Sequence, residues 1–154
     1  MVTNSKDYID QLWNIQNQAS TKKAILLPKN EDFVHINLDT RKIEMPKSFT
    51  IVSQDHVAET VYFTFDRYYD NVDLTTMIGA VLYTNANGEE FIQPFPFFDR
   101  KTLASEGKVI APWEIQNSVT KYAGPVKFAV KFFRVNSDKV LMYDLNTLPA
   151  ETII

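Results

Sequence analysis

Two histidines and three closely spaced aspartates are the residues of this 154-residue chain that could do chemistry. His35 and His56 lie in separate strand-like runs, and neither has the nearby carboxylate or serine of a proton relay. A single histidine on a strand is more often a surface or satisfied side chain. Asp66, Asp70 and Asp73 stand in DRYYDNVD, and oxygen-rich loops can hold calcium. Their spacing departs from an EF-hand, which also needs a glycine at its bend. Asp and Asn serve equally in plain turns by bonding their own backbone. Gly79, Gly88, Gly107 and Gly124 are too scattered to cradle a phosphate. No P-loop, GxGxxG, nucleophile elbow or HExxH occurs. The absence of cysteine excludes disulfides and thiolate zinc sites. The expectation is a non-enzyme with no catalytic residue, no cofactor and no metal ligand.

Aromatic side chains are the other candidates. Tyr62, Tyr68 and Tyr69, or Phe91, Phe95, Phe97 and Phe98, could form a platform on which sugar rings stack. The same residues at alternate strand positions also suit a core, and exposed ones suit a protein interface. All three readings stand at this stage.

The elements that must position these residues follow from periodicity. Residues 5–19, SKDYIDQLWNIQNQA, repeat their apolar residues at a helical period. Tyr8, Leu12 and Ile15 share a face with Ile9 and Trp13 beside it, and Asn4 or Ser5 can cap it. A helix this short is marginal alone, so it packs on its own domain or docks on another subunit. From residue 20 the period becomes two. Ala24–Leu27 is a short run ended by Pro28. Phe33–Leu38 and Lys42–Met45 flank a turn at Asp39-Thr40-Arg41. Val57–Asp66 turns Val61, Phe63 and Phe65 inward and Tyr62 and Thr64 outward. Met77–Thr84 and Glu89–Phe97 are joined by Asn85-Ala86-Asn87-Gly88, and Asn-Gly between strand-like runs is a strong hairpin signature. Lys108–Ile115 sets Val109, Ala111, Trp113 and Ile115 on one face.

The stretch 119–133, VTKYAGPVKFAVKFF, carries the clearest alternation. Val126, Phe128, Val130 and Phe132 point one way; Lys127 and Lys131 are expected to face solvent or a partner. Val119–Gly124 reads as a crossover between sheets, with Tyr122 as a corner tyrosine bonding back to backbone. Asn136-Ser137-Asp138 turns into Lys139–Asn146, with Leu141, Tyr143 and Leu145 on one side.

These runs predict an all-β fold: an antiparallel Ig-like β-sandwich of about seven to nine strands with a short N-terminal α-helix. Residues 1–20 form a docking helix and 21–154 the sandwich, with 20–32 as the hinge. A chain this long buries roughly two thirds of its unfolded surface, enough for a core without staples. Eleven Phe and seven Tyr favour strands over helices. The net charge of −3, with no basic run, gives a nucleic-acid groove no electrostatic support. MVTNSKDYIDQLW carries charges where a signal peptide needs an apolar core, and no apolar run approaches the ~20 residues of a spanning helix. A soluble protein without nucleic-acid or membrane partners is expected.

Four segments, in order, resemble the small Ig-like β-sandwich virion structural proteins of bacteriophages of Gram-positive hosts. The pattern is that of baseplate and head-fibre N-terminal modules. The segments are SFTIVSQDHVAETVYFTFDRYYDNVDLT at 48–75, GAVLYTNANGEEF at 79–91, the stretch from Val109 to Phe132 around Trp113, and YDLNTLPAETI at 143–153. The resemblance covers about residues 30–152. It implies a virion location and a non-enzymatic role in assembly with other virion structural proteins; because homo-oligomers close by symmetry, a ring or trimer is expected. The stop at Ile154, soon after the Thr-x-Pro segment, favours a capsid, connector, tail or baseplate component over a fibre. The alternative is a carbohydrate-binding module recognising host surface glycans. The expected contact residues are Tyr8, Leu12 and Trp13 on the helix and Tyr68 and Tyr69 in the acidic loop.

Overall fold

Period-two alternation becomes two stacked sheets. The computed structural model describes residues 5–17, 33–46, 49 and 60–154. Strands β1 (Val34–Asn37), β2 (Lys42–Glu44), β3 (Thr60–Asp66) and β8 (Lys108–Glu114) form one sheet in the order β2-β1-β3-β8. Strands β6 (Ile78–Thr84), β7 (Glu90–Pro94), β9 (Pro125–Val135) and β10 (Leu141–Asn146) form the other in the order β10-β9-β6-β7. Strand β11 (Ala150–Ile153) continues that sheet along the first half of β9. Between β3 and β6 stands a two-stranded hairpin of β4 (Tyr68–Tyr69) and β5 (Val72–Asp73). The β3–β8 pair in one sheet and the central β6–β9 pair in the other, with β6–β7 and β9–β10 hairpins, give the strand order of an Ig-like sandwich. The main sheets hold nine strands among the described residues, at the top of the expected range. One pairing departs from the antiparallel expectation: β1 runs parallel to β3, with Val34 opposite Phe63.

The inward faces match the sequence reading. Val61, Phe63 and Phe65 of β3, Val109, Ala111 and Trp113 of β8, and Val126, Phe128, Val130 and Phe132 of β9 are buried in one core. Trp113 lies at its centre, with ring centroids 6.2 Å from Phe63, 5.4 Å from Phe128 and 5.7 Å from Tyr83. A buried indole N–H needs an acceptor. Gln93 Oε1 accepts from it at 3.2 Å, while Gln93 Nε2 donates to the Glu114 carbonyl at 2.6 Å. Gln93 thereby bridges β7 to β8 across the two sheets.

Asn and Asp side chains set the turns, as their composition anticipates. Asn37 Oδ1 accepts from the amides of Asp39 and Thr40, and Asn136 Oδ1 from those of Asp138 and Val140. Asn85 Oδ1 does the same for Asn87 and Glu89, with Gly88 at φ 82 closing the β6–β7 hairpin. The crossover from β8 to β9 passes through α2 (Asn117–Thr120). Its tyrosine bond belongs to Tyr83, whose hydroxyl lies 2.6 Å from Ser118 Oγ. Among the described residues, Tyr122 has only the Lys121 ammonium against its ring, so the corner role expected of it is not filled.

Helix α1 (Lys6–Asn17) lies on the outer face of the five-stranded sheet. Ser5 Oγ caps it by accepting from the Tyr8 amide at 3.2 Å. Tyr8, Ile9 and Leu12 are buried against Ala80, Leu82, Phe133 and Val135. Gln16 fastens its last turn to β9 by a reciprocal pair of bonds with the Val135 backbone, both 3.0 Å. No described helix is long and apolar enough to cross a membrane.

Three expected orientations are corrected. Lys131 is 3% exposed, because α1 covers the face on which it stands; Lys127, beyond the helix, is exposed. Thr64 is buried, with His35 Nδ1 2.7 Å from its hydroxyl. A register shift between Leu141 and Tyr143 sends Leu141 to the helix side, while Tyr143 and Leu145 keep to the central core. The run Ala24–Leu27 and the hinge at 20–32 lie outside the described residues.

Gly79 on β6 has no room for a side chain: a Cβ there would stand 2.8 Å from Phe95 Cδ2 and 2.9 Å from Phe98 Cζ. Overpacking of a dense core costs ~1–3 kcal/mol. Gly79→Ala is expected to lower the urea midpoint accordingly, and an unchanged midpoint would contradict this packing.

Candidate functional site

Among the described residues, the groups with catalytic potential do not converge. His35 contacts Thr64, with no carboxylate or nucleophile in the arrangement, and His56 lies outside the described residues. The three aspartates of DRYYDNVD serve separate purposes. Asp66 pairs with Lys108 at 3.3 Å. Asp73 takes Arg67 at 3.0 and 3.2 Å and also caps the turn at 74–76 through the Thr75 amide. Asp70 sits in the β4–β5 turn. No set of three potential metal ligands gathers among the described residues. An open cleft of about 410 Å³ between the start of α1 and β7 is lined by Asp7, Tyr8, Gln11, Glu90 and Phe91 among others.

What the fold does assemble is a rim of tyrosines and arginines beside the β10 edge. The β4–β5 turn has Asp70 at φ 53 and Asn71 at φ 66, the left-handed pair of a type I′ hairpin. That tight turn projects Tyr68, 61% exposed, and Tyr69, half-buried. The Arg67 guanidinium lies over the Tyr68 ring at 5.4 Å and is itself fixed by Asp73. Arg41, from the β1–β2 turn, covers the Tyr69 ring at 5.3 Å. Its nitrogens donate to the Tyr69 hydroxyl at 3.4 Å and the Asn146 carbonyl at 3.3 Å. Tyr143 adjoins this group: burial raises its hydroxyl pKa, opposed by the charge of Arg41 and assisted by Tyr69 and Asp70. Val140 just before β10, Met142 on it, Leu148 after it and Ile153 on β11 are with Tyr68 the large apolar residues open to solvent among those described.

The anticipated contact residues therefore divide. Tyr68 and Tyr69 stand in the rim. Tyr8 and Leu12, expected to bury against a partner, bury against the chain's own sheet; Leu12 is 0% exposed and Trp13 is half-buried beside it. The physical reason is the apolar outer face of β6 and β9, which needs a cover and finds it in α1. Beneath the helix the Lys131 ammonium pairs with Asp144, donates to Asn146 Oδ1 at 3.2 Å and faces the Tyr8 ring at 5.5 Å. Burial, then the Asp144 charge, pushes the Tyr8 hydroxyl up to about 12. Of the aromatic platforms, Phe95 is buried, Phe98 packs on the core and Phe91 stacks on Tyr83 at 5.0 Å. The Tyr62 ring meets the edge of Phe33. Sequence reasoning missed Arg41, whose place in the turn marks no face, and Met142, which is exposed on β10.

The Asp73 carboxyl is held at about 2, chiefly by its hydrogen bonds from Arg67, with Thr75 adding to them. A carboxylate depressed on folding gives stability that is complete above its unfolded value of about 4 and is lost as pH falls toward 2. NMR titration is expected to place the Asp73 midpoint near 2. In Asp73→Asn the fall in stability between pH 4 and 2 should become shallower. A midpoint near 4 would remove the Arg67–Asp73 pair as the brace behind Tyr68.

No known protein family, curated protein or solved structure matches the chain.

Proposed function

We propose that this chain is a non-enzymatic structural component of a bacteriophage virion, holding its place in a capsid, connector, tail or baseplate by protein–protein contact. The observation that carries the contact role is the rim. Tyr68 is widely exposed yet braced by Arg67, which Asp73 fixes in turn. A large ring held in place before binding loses little conformational freedom on binding. Tyrosine and arginine are also the residue types that dominate interface energetics. Exposed Leu148 adjoins this rim, its amide donating to the Arg41 carbonyl at 2.7 Å. The virion assignment rests on the four resembling segments; their described parts fall on β3 to β5, the β6–β7 hairpin, β8 to β9 and β10 to β11. Partners would be other virion proteins and further copies of the chain in a ring or trimer.

A second reading is favoured by the same ring: Tyr68 offers solvent a flat aromatic surface on which a host surface sugar could stack. Titration with host wall polysaccharide would then quench tyrosine emission in the native chain and not in Tyr68→Ala. A flat titration removes this reading.

For the leading reading, quantitative mass spectrometry of gradient-purified particles is expected to find the chain in fixed ratio to the major structural proteins. Loss of an interface anchor costs at least ~2 kcal/mol of binding. Tyr68→Ala should therefore cut incorporation by a factor of about 30 while leaving the melting transition close to that of the native chain. Absence of the native chain from particles would overturn the assignment. Undiminished incorporation of a folded Tyr68→Ala would move the contact elsewhere.

A further inference from the structure

We propose that Asn87 is a site of spontaneous covalent modification, converting to aspartate and isoaspartate through a cyclic imide formed with Gly88. Asn87 is the one asparagine in the chain followed by glycine. Both residues are exposed at the tip of the β6–β7 hairpin. Gly88 stands at φ 82, and open space surrounds the position a Cβ would take. The Asn87 backbone amide is bound to Asn85 Oδ1 at 3.1 Å, whereas its own side chain is free among the described residues. One bond opposes the reaction: the Gly88 amide donates to the Asn85 carbonyl at 2.9 Å. That bond must open before the nitrogen can turn onto the side chain, so local opening of the hairpin sets the rate.

The step balances without an oxidant or reductant. The Gly88 nitrogen bonds to Asn87 Cγ, the Cγ–Nδ2 bond breaks, and the amide proton leaves with the side-chain nitrogen as ammonia. Water then opens the five-membered imide. Attack at Cγ restores the normal backbone with an aspartate side chain. Attack at the main-chain carbonyl leaves the chain running through Cγ, as isoaspartate. Either product carries a new negative charge beside Glu89 and Glu90.

Isoaspartate also inserts a carbon into the backbone of the loop that Asn85 organises. Asn85 is 3% exposed; its Oδ1 accepts from Asn87 and Glu89, and its Nδ2 donates to the Ser118 carbonyl at 2.9 Å. A longer loop pulls these bonds out of register. The modification therefore loosens the corner where the β6–β7 hairpin meets the α2 crossover.

The test is peptide mapping of the full chain held at pH 8 and 37 °C. The peptide containing Asn87 is expected to gain about 1 Da, faster than any other asparagine peptide. Isoaspartyl methyl transfer should report the isomer, and conversion should be slower than in a synthetic TNANGEE peptide. In Gly88→Ala the gain should slow by at least about tenfold, because a side chain obstructs the attack and strains at this φ. Should that variant fail to fold, Asn87→Gln decides, since its larger ring closes far more slowly and the gain should disappear. An intact Asn87 after about ten half-lives of the free peptide would overturn the proposal. So would an undiminished gain in Asn87→Gln.

Discussion

The indole of Trp113 holds the two sheets at their spacing, and much of the molecule is arranged around it. Its faces meet Phe63, Phe128 and Tyr83, drawn from strands of both sheets. Its N–H is a buried donor that costs ~1–3 kcal/mol if left without an acceptor. Gln93 supplies that acceptor and spends its own amide on the β8 backbone. One polar side chain thus settles the buried donor and also fixes where β7 lies relative to β8. The hairpin that delivers Gln93 depends in turn on Asn85, which joins it to the α2 crossover.

Strand β9 extends this constraint outward. Its even-numbered apolar residues fill the space between the sheets, whereas Phe133 and Val135 face the opposite side and need a second cover. Helix α1 provides it. Burying a leucine completely is worth ~1.5–3 kcal/mol, which a helix of this length needs in order to persist. Covering that face also removes Lys131 from water. The ammonium is tolerated there because Asp144, Asn146 and the Tyr8 ring replace its hydration.

The edges of the sheets are treated unequally. Strand β2 is three residues long and begins and ends in charge, while β7 ends at Pro94; both discourage further pairing. The β10–β11 edge instead carries Met142 and Ile153 in the open, with the tyrosine–arginine rim beside it. Arg41 ties the rim to this edge through the Asn146 carbonyl. The exposed apolar residues are thus concentrated along the sheet edge least protected against pairing.

Alternation in the sequence determined which residues of each strand face inward, because a pleated strand turns successive side chains to opposite sides. Asparagine chemistry determined the turns at Asn85 and Asn136, because a short side-chain acceptor bonds backbone amides two to four residues ahead. Tertiary structure decided what covers each outer face. Lys127 and Lys131 are alike in sequence, and only the position of α1 makes one exposed and the other buried. Tyr8 and Leu12 show the same limit: amphipathic spacing requires that their face be covered, but not by which surface. The rim was half legible. Tyr68 and Tyr69 are adjacent in the chain and stand out as aromatics in an acidic loop. Arg41 and Tyr143 reach them from distant turns and strands, and long-range packing alone brings such groups together.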